Sequence, residues 1–285
     1  MAALGNYLSL IKFSHTIFAM PFAIIGFFTA VEIGGNEPDW MLFLLVITCM
    51  ISARSAAMAF NRYIDRKIDS ENKRTMIREI PSKVISPSGA LFFVVISCVI
   101  FVVSCWFINR ICFFLSPVAL AVVLGYSYTK RFTSLCHLIL GIGLSLAPIG
   151  AWLAVTGEFA FLPLLFSFAV LSWVGGFDII YALQDDEFDK KQGLHSIPAA
   201  IGRKKALWVS NILHTVSAGM IVYAGIEAEF DLWYWIGATF FCGMLIYQHR
   251  LVKPNDLSKV NMAFFTSNGV ASIVLCVFVL LELYA

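Results

Sequence analysis

The chain has 285 residues, of which 60% are hydrophobic and only 13% are charged. Together with a strongly positive mean hydropathy, this composition is typical of an integral membrane protein and excludes a soluble domain built around one large core. The formal net charge of +2 is small, and we expect no nucleic-acid partner.

Apolar segments long enough to span a membrane recur along the whole chain. Because a spanning helix needs about 20 mainly apolar residues, we predict nine such helices. They lie at about 8–31, 41–61, 89–109, 111–127, 134–155, 161–183, 205–225, 232–249 and 261–283. Only Asn109 and Arg110 separate the third segment from the fourth. The first segment lacks a basic start and a cleavage signature, so we interpret it as a retained helix.

Lys and Arg are distributed asymmetrically among the connections between these segments. The second, fourth, sixth and eighth connections together hold 17 of the 20 basic residues, whereas the opposite side holds Arg110 and several acids. By the positive-inside rule, the basic side is cytoplasmic, which predicts the N-terminus inside and the C-terminus outside. Two acidic motifs belong to this cytoplasmic side.

The first acidic motif ends the second predicted helix. Arg54, Asn61, Asp65 and Asp69 are spaced so that a helix would present all four on one narrow face. Two carboxylates and an amide oxygen are typical ligands of Mg²⁺, which commonly shares its site with a substrate phosphate. The neighbouring Lys and Arg side chains could hold the rest of a diphosphate. The alternative is a solvated, charge-mixed loop beside the membrane.

The second acidic motif repeats this spacing. Asp178, Asp185 and Asp189 have the same offsets as Arg54, Asn61 and Asp65, and Tyr181 lies on the flank of that face. Both motifs end an apolar segment, continue into Lys and Arg, and reach a proline. The repeat predicts two related halves, each with an acidic cluster at the membrane edge.

Further polar residues on the same side are candidates for binding a diphosphate. Lys130 could clamp it, with Tyr126 as a nearby hydroxyl donor, although Lys130 and Arg131 could equally be a pair that sets topology. Arg54 is costly inside a helix unless it is paired. We expect it to contact the substrate phosphate, or Asp65 and Asp69 through a neighbour.

Histidine and cysteine carry weaker signals. The seven cysteines include no C-x-x-C pair, and we interpret them as small buried side chains. His195 lies near the second motif and could touch substrate, but a loop hydrogen bond is an equal alternative. We interpret His137, His214 and His249 as helix or interface residues, because no zinc-ligand spacing relates them.

Two acidic clusters facing each other across a bundle would suit Mg²⁺ and a diphosphate whose organic tail lies in the membrane. Departure of diphosphate from an allylic carbon leaves a cation, which a dry and aromatic interior would protect from water. The alternative from another class is a cation-coupled transporter. Transporters tend to have such carboxylates near the bilayer midplane, whereas these clusters are predicted at helix ends.

These residues resemble the motifs of the UbiA superfamily of intramembrane prenyltransferases. The first family motif, N-x-x-x-D-x-x-x-D with its flanking R-[SG]-A and R-T elements, is matched by Asn61, Asp65, Asp69, Arg54, Arg74 and Thr75. The second, D-x-x-Y-A-x-x-D-x-x-x-D followed by G-x-x-S, is matched by Asp178, Tyr181, Asp185, Asp189, Gly193 and Ser196. A Y-x-x-x-K-R element is matched by Tyr126, Lys130 and Arg131.

The resemblance implies an all-α membrane protein, a nine-helix UbiA-type bundle of two pseudo-repeated halves around a central cavity. One integral-membrane domain would cover residues 1–285, with motif loops at about 61–88 and 184–204. The K-F-S-H-T at residues 12–16 and the G-L-H-S-I-P at residues 193–198 make the chain look most similar to bacterial 4-hydroxybenzoate polyprenyltransferase-like enzymes. The implied location is a bacterial inner membrane, crossed several times.

The implied activity is Mg²⁺-dependent transfer of a polyprenyl group from polyprenyl diphosphate to an aromatic acceptor of the 4-hydroxybenzoate type in quinone biosynthesis, such as that of ubiquinone. A dihydroxynaphthoate acceptor in menaquinone biosynthesis, or a haem or lipid acceptor, are the alternatives within the superfamily. Polyprenyl diphosphate, an aromatic acceptor and membrane lipid are thus the expected partners. The implied ligands of Mg²⁺ and its diphosphate are Asn61, Asp65, Asp69, Asp185 and Asp189.

The remaining roles follow from the same resemblance. Asp178 and Tyr181 would lie by the reacting centre, and Asp185 and Arg54 complete the expected catalytic group. Diphosphate-binding residues would be Arg74, Lys130, Arg131 and Tyr126. The chain departs from many members at two positions, with Arg62 where they have Asp and Ile77 to Glu79 where they have N-R-P. We expect these departures to bear on the acceptor more than on the reaction.

Overall fold

The computed structural model describes residues 2–11 and 20–285. Within these ranges the chain forms twelve α-helices and one π-helical turn, and it forms no strand. The first predicted segment, at about 8–31, falls partly on residues 12–19, which lie outside the described residues, as does the K-F-S-H-T motif. The seven cysteines form no disulfide in the part that is described.

The helices follow the predicted segments closely. The N-terminal six are α1 (Ala2–Leu10), α2 (Met20–Glu32), α3 (Trp40–Glu71), α4 (Pro87–Ile108), α5 (Arg110–Thr129) and α6 (Cys136–Thr156). The C-terminal six are α7 (Phe161–Ala182), α8 (Asp186–Gln192), α9 (Ile197–Ile201), α10 (Arg203–Glu227), α11 (Leu232–Leu251) and α12 (Ser267–Tyr284), the last preceded by the π-helical turn Met262–Thr266.

Seven of the described helices are long and apolar enough to cross a membrane, which makes the chain an integral membrane protein. They are α3, α4, α5, α6, α7, α10 and the continuous segment Met262–Tyr284. Of the other two predicted segments, α2 has 13 described residues and α11 has 20. The nine-helix count and the two related halves therefore stay predictions.

The division between α4 and α5 rests on Asn109. Its extended backbone ends one helix and begins the next, and its side chain accepts a hydrogen bond from the backbone N–H of Cys112 at 2.9 Å. The same side chain donates to the carbonyl of Leu153 on α6 at 2.8 Å. A single polar residue thus satisfies a helix start and ties the α4–α5 corner to its neighbour.

Helix α7 forms the centre of the bundle. In its most apolar stretch 72% of the residues are buried, against 11% in α5, which places α7 inside and α5 at the lipid-facing rim. Trp173 of α7 is fully buried, packs against Phe22 and Phe241, and donates to the side-chain oxygen of Asn268 at 2.9 Å. Buried His214 and half-buried His249 are joined by a hydrogen bond of 3.0 Å beside this core.

The two acidic motifs end their helices in different ways. Helix α3 continues through Asn61 and Asp65 to Glu71. The connection after α3 therefore begins at Asn72, later than the predicted start of the motif loop near 61. Helix α7 instead ends at Ala182, and the short helices α8 and α9 follow. Gly193 ends α8 in the left-handed conformation, with φ of 66°, which glycine adopts without strain.

Candidate active site

An apolar cavity of about 400 Å³ lies between α3, α4, α5 and α6. Arg54 of α3 and Tyr126 of α5 are the polar residues at one end of its lining, whereas Cys112 and Phe159 lie towards the other end. Fourteen residues separate Cys112 from Tyr126 on one helix, which corresponds to about 21 Å. The cavity therefore has the length and surface for an extended hydrocarbon chain.

Asp65 binds two cations about two helical turns beyond this end of the cavity. Its carboxylate lies 2.8 Å from Lys130 Nζ and 2.9 Å from Arg131 Nη2, and its side chain is 2% exposed. Asn61 donates to the same carboxylate at 3.2 Å, one helical turn earlier on α3. Lys130 and Arg131 immediately follow α5, so this cluster joins the ends of two helices. Four residues of the predicted motifs, two acidic-motif residues and two basic ones, thus meet in one place.

Asp69 belongs to the same face of α3, one turn further on. Arg78 binds its Oδ1 atom at 2.7 Å, and the Thr75 hydroxyl donates to its backbone carbonyl at 3.2 Å. The second carboxylate oxygen of Asp69 is buried and has no hydrogen-bond partner among the described residues. A buried carboxylate oxygen without a hydrogen-bond partner raises the free energy of the folded state. A cation bound at this oxygen would reduce that cost.

Arg74 joins the connection after α3 to the second motif. Its guanidinium binds both carboxylate oxygens of Asp185 and donates to the Tyr181 hydroxyl at 2.9 Å. Asn72 also donates to Asp185, at 3.0 Å. Burial alone would lower the pKa of Arg74, but the bonds and charges of Asp185 and Tyr181 raise it above its ordinary value. The connection is therefore held across the site by a charged, bidentate contact.

Asp189 lies on α8 one turn after Asp185. Burial raises the pKa of the Asp189 carboxyl, the nearby charge of Asp185 raises it further, and a hydrogen bond from Ser196 with the charge of Lys130 opposes both effects. A cation beside this carboxylate would favour the ionised form. The Ser196 contact also ties α8 to the start of α9, where the Ser196 side chain caps the helix.

Asp178 has a partner that the sequence did not suggest. His137 of α6 lies with its Nδ1 atom 2.7 Å from Asp178 Oδ2, and its Nε2 atom accepts the backbone N–H of Ile197 at 3.3 Å. The sequence indicated only a helix or interface residue at position 137, because 41 positions separate it from Asp178. The available signal for a site role was that His137 follows Lys130 and Arg131 closely and lies on α6, the helix that faces α7.

Tyr126 lies between the cavity and these charged groups. It lines the cavity, and the charges of Asp65, Arg62, Asp178 and Arg54 all act on it. Arg54, which also lines the cavity, has an Nε atom with no hydrogen-bond partner among the described residues. Tyr126 is the polar neighbour of Arg54 and also lies near Asp65, so the predicted contact of Arg54 with Asp65 or Asp69 through a neighbour stays a prediction.

The two departures from the family pattern lie near each other. Arg62 is 6% exposed, and the charges of Asp69 and Glu79 act on it. Glu79 accepts a hydrogen bond from the Ser9 hydroxyl at 2.5 Å, which brings α1 against the connection between α3 and α4. Arg62 and Glu79 thus lie in the same neighbourhood, where their charges partly compensate.

The oxygen donors of the site are suitable ligands for Mg²⁺. Each ion would be bound by one or two carboxylates, and water and phosphate would supply the remaining ligands. No three His, Cys, Asp or Glu side chains of the described chain converge into a complete protein cage. Mg²⁺ rarely uses such cages, and it is commonly bound by one or two carboxylates plus substrate phosphates. The unsatisfied oxygen of Asp69 and the carboxylates of Asp65, Asp185 and Asp189 supply suitable hard oxygen donors.

The predicted site residues thus form one continuous group at one end of the bundle. Asn61, Asp65, Lys130 and Arg131 make its first cluster, and a second cluster contains Arg74, Tyr181 and Asp185. The sequence did not identify Asn72, Arg78 or His137. The His195 side chain is exposed, and its backbone N–H donates to the Lys130 carbonyl at 2.7 Å, so the loop contact is the one observed.

The profile of the UbiA prenyltransferase family matches residues 19–269. The chain is 28% identical over 237 residues to the 4-hydroxybenzoate octaprenyltransferase of Tolumonas auensis, covering 83% of this chain and 82% of that protein. It is 31% identical over 238 residues to the 4-hydroxybenzoate octaprenyltransferase of Vibrio atlanticus, covering 82% of each.

Solved structures with the same fold agree with these relatives. The apo structure of a UbiA homologue from Aeropyrum pernix K1 is 29% identical, with a TM-score of 0.85 over 94% of this chain and 98% of that one. A UbiA homologue from Archaeoglobus fulgidus, solved with GPP and Mg²⁺ bound, is 18% identical, with a TM-score of 0.75 over 98% of this chain and all of that one, and shows the fold alone.

Proposed function

Because the chain belongs to the UbiA prenyltransferase family, we propose that it transfers a polyprenyl group from polyprenyl diphosphate to an aromatic acceptor of the 4-hydroxybenzoate type. The names of the bacterial relatives support this acceptor and a role in quinone biosynthesis. The observation that carries the proposal is the position of Tyr126 and Arg54, where a long apolar cavity meets a cluster of acids and cations.

The cavity would hold the prenyl tail, and the charged end would hold the diphosphate. Lys130, Arg131 and Arg74 carry permanent charge towards this end, and each now contacts a carboxylate of the motifs. Phosphate oxygens would offer these cations an equivalent charge-assisted contact. Tyr126 and Arg54, which border both regions, would orient the carbon attached to the diphosphate.

Mg²⁺ would be held by Asp65 with Asn61, Asp69, Asp185 and Asp189, and when bound it would neutralise charge that develops on the leaving diphosphate. The residues of the chain do the rest. The basic side chains fix the phosphate end, the apolar walls keep water from the allylic cation, and Asp178 with Tyr181 lies where the acceptor ring would approach.

The reaction has a simple balance. The bond between the allylic carbon and the diphosphate oxygen breaks, and its electron pair leaves with the diphosphate. The allylic carbon then forms a bond to the ring carbon ortho to the phenol hydroxyl, and that ring carbon loses its proton. The chain must bind two substrates, keep them dry and accept one proton.

We also propose a bacterial inner-membrane location with both motifs on the cytoplasmic side. The concentration of 17 of the 20 Lys and Arg residues in alternate connections supports this orientation. A reporter fused after Ala285 that is active only in the periplasm would test it. Activity of the same reporter only in the cytoplasm would reverse the proposed orientation.

The activity is tested on membrane fractions that contain the protein, supplied with Mg²⁺ and a labelled polyprenyl diphosphate. Parallel reactions receive 4-hydroxybenzoate or a dihydroxynaphthoate, and membranes without the protein serve as the control. We expect Mg²⁺-dependent formation of prenylated 4-hydroxybenzoate. A product with the naphthoate alone would keep the reaction and change the acceptor and pathway.

Two other outcomes would overturn more of the proposal. Release of diphosphate without any aromatic product would keep the ionisation step and point to a haem, lipid or other nucleophile. The absence of diphosphate release under all conditions would remove the prenyltransferase activity. It would favour the cation-coupled transporter that the intramembrane carboxylates also allow.

A further inference from the structure

The acidic residues at the site differ in what binds their oxygens. Both oxygens of Asp65 and both of Asp185 accept hydrogen bonds from Lys or Arg. Asp69 is bound by Arg78. Asp178 alone among these four described carboxylates is bound by a histidine, through Oδ2, and no other described hydrogen bond reaches it.

The hydrogen bonds of His137 fix its tautomer. The backbone N–H of Ile197 can only donate, so the Nε2 atom that receives it at 3.3 Å carries no proton. Nδ1 therefore carries the proton that is donated to Asp178 Oδ2 at 2.7 Å. The donor of this contact is an imidazole, whereas the donors to Asp65, Asp69 and Asp185 include Lys and Arg side chains.

The pair is oriented from the protein wall towards open space. The His137 side chain is 3% exposed and that of Asp178 is 23% exposed, so the histidine lies behind and the carboxylate in front. Asp178 also lies near Tyr126, which puts it near the charged end of the cavity. Its Oδ1 atom is therefore available on the side where the acceptor would bind.

Asp69, whose Oδ2 atom also has no described partner, is too far along α3 for this role. It lies 11 residues after Met58, the last residue of α3 that lines the cavity, which corresponds to about 16 Å along the helix. A base for the ring must lie within hydrogen-bond reach of the carbon that is alkylated. Of the two acids near Tyr126, Asp65 has both oxygens bound by cations, whereas Asp178 Oδ1 has no described hydrogen-bond partner.

We propose that Asp178 is the general base that accepts the ring proton and that His137 is its positioning residue; this inference rests on the proposed function. After the allylic carbon has bonded to the ring, the C–H bond at that carbon breaks. Its electron pair restores the aromatic ring, and its proton goes to Asp178 Oδ1. His137 keeps its own Nδ1 proton and holds Oδ2, so that the other oxygen faces the ring.

The start of α9 supports this arrangement from behind. Ser196 caps α9, Ile197 is the first helical residue, and its N–H is one of the donors that a helix start leaves without an internal partner. His137 satisfies that donor, and the Ser196 hydroxyl lies near Asp189. The connection that carries the second motif therefore fixes the orientation of the imidazole on α6.

The test uses 4-hydroxybenzoate deuterated at both ring carbons ortho to the hydroxyl. Rates of product formation with deuterated and ordinary acceptor are compared for the full-length protein and for His137→Ala, His137→Asn and Asp178→Asn, with diphosphate release followed in the same samples. Asn retains a donor near the position of Nδ1. His214→Asn is the matched control, because it changes another buried histidine of the bundle.

We expect the unmodified protein to show no isotope effect, since loss of the ring proton is rapid. Asp178→Asn should lower product formation by about 100-fold and His137→Ala by about tenfold, both with a primary isotope effect and with continued diphosphate release. His137→Asn should recover most of the rate and lose the isotope effect. His214→Asn should show no isotope effect at any residual rate.

Product from the unmodified protein together with unchanged rates, or with slowed rates but no isotope effect, in Asp178→Asn and His137→Ala would overturn the pair and leave the proposed function standing. No prenylated 4-hydroxybenzoate from the unmodified protein would overturn the acceptor, and the proton step with it. If His137→Ala does not fold, Asp178→Asn decides the base, and His137→Leu, which fills the same space without a donor, decides the positioning role.

Discussion

Replacement of Asp65 by asparagine separates a role in chemistry from a role in folding. The side chain is 2% exposed and accepts from Lys130 at 2.8 Å and from Arg131 at 2.9 Å, while the two cations are 30% and 31% exposed. Asparagine preserves the shape and removes the charge. Because the cations are partly solvated, we expect the free energy of unfolding to fall by about 1–3 kcal/mol.

Asp186 provides a matched control for this change. Its side chain is 6% exposed and accepts from Arg203 at 2.7 and 2.9 Å, and Arg203 is 31% exposed. Asp186→Asn should therefore cost a similar free energy of unfolding. Asp186 belongs to neither predicted set of metal ligands nor to the diphosphate-binding residues, so the substitution should leave the rate within a few-fold of that of the unmodified protein.

The assay measures prenyl transfer and diphosphate release at saturating Mg²⁺, with thermal unfolding recorded on the same detergent-solubilised samples. A metal ligand contributes several kcal/mol to stabilising a leaving group, so Asp65→Asn should lower both rates by at least about 100-fold. Both variants should unfold a few degrees below the unmodified protein. Equal loss of activity in the two variants, or retained activity in Asp65→Asn, would refute the reasoning.

Three further results are expected. Gly150→Leu should reduce transfer from long polyprenyl diphosphates but not from dimethylallyl diphosphate. Gly150 lines the cavity and a Cβ there meets nothing within 4 Å, so the leucine side chain would occupy cavity space without disturbing the fold. Equal loss of transfer with both substrates would contradict this prediction. Gly26→Ala should lower the free energy of unfolding by about 1–3 kcal/mol in thermal melts, since its Cβ would lie 2.2 Å from the Pro148 carbonyl oxygen, whereas Gly219→Ala should not. The Mg²⁺ concentration for half-maximal activity should rise as pH falls through the raised pKa of Asp189, because the protonated carboxyl cannot bind metal, and this rise should be smaller in Asp189→Asn.

The sequence was sufficient to predict the all-helical membrane fold and the helical face that carries the first acidic motif. Hydropathy marks spanning segments because a membrane excludes unsatisfied backbone groups, and the spacing of Asn61, Asp65 and Asp69 does place them on one helical face. It could not predict which cation meets which acid. Arg74 reaches Asp185 across 111 positions, and His137 reaches Asp178 across 41. Such contacts depend on how helices pack, which spacing along one helix does not report.

The repeated spacing of the two motifs does not produce repeated structure. In the first, α3 continues to Glu71 without a break, whereas in the second α7 ends at Ala182 and α8 begins at Asp186. The turn between α7 and α8 carries Asp185, which brings that carboxylate within reach of Arg74 on the other connection.

This difference gives the two motifs different supports. The continuous helix α3 holds Asp65 against Lys130 and Arg131. The turn after α7 and the short helices α8 and α9 are instead held by contacts that cross between the motifs. Asn72 and Arg74 bind Asp185, and Gln192 of α8 donates to Glu71 at the end of α3 at 2.7 Å. Because each connection is held by the other, a change of charge in either motif should alter the side-chain contacts of both. A diphosphate bound at one motif would contact groups positioned by the other.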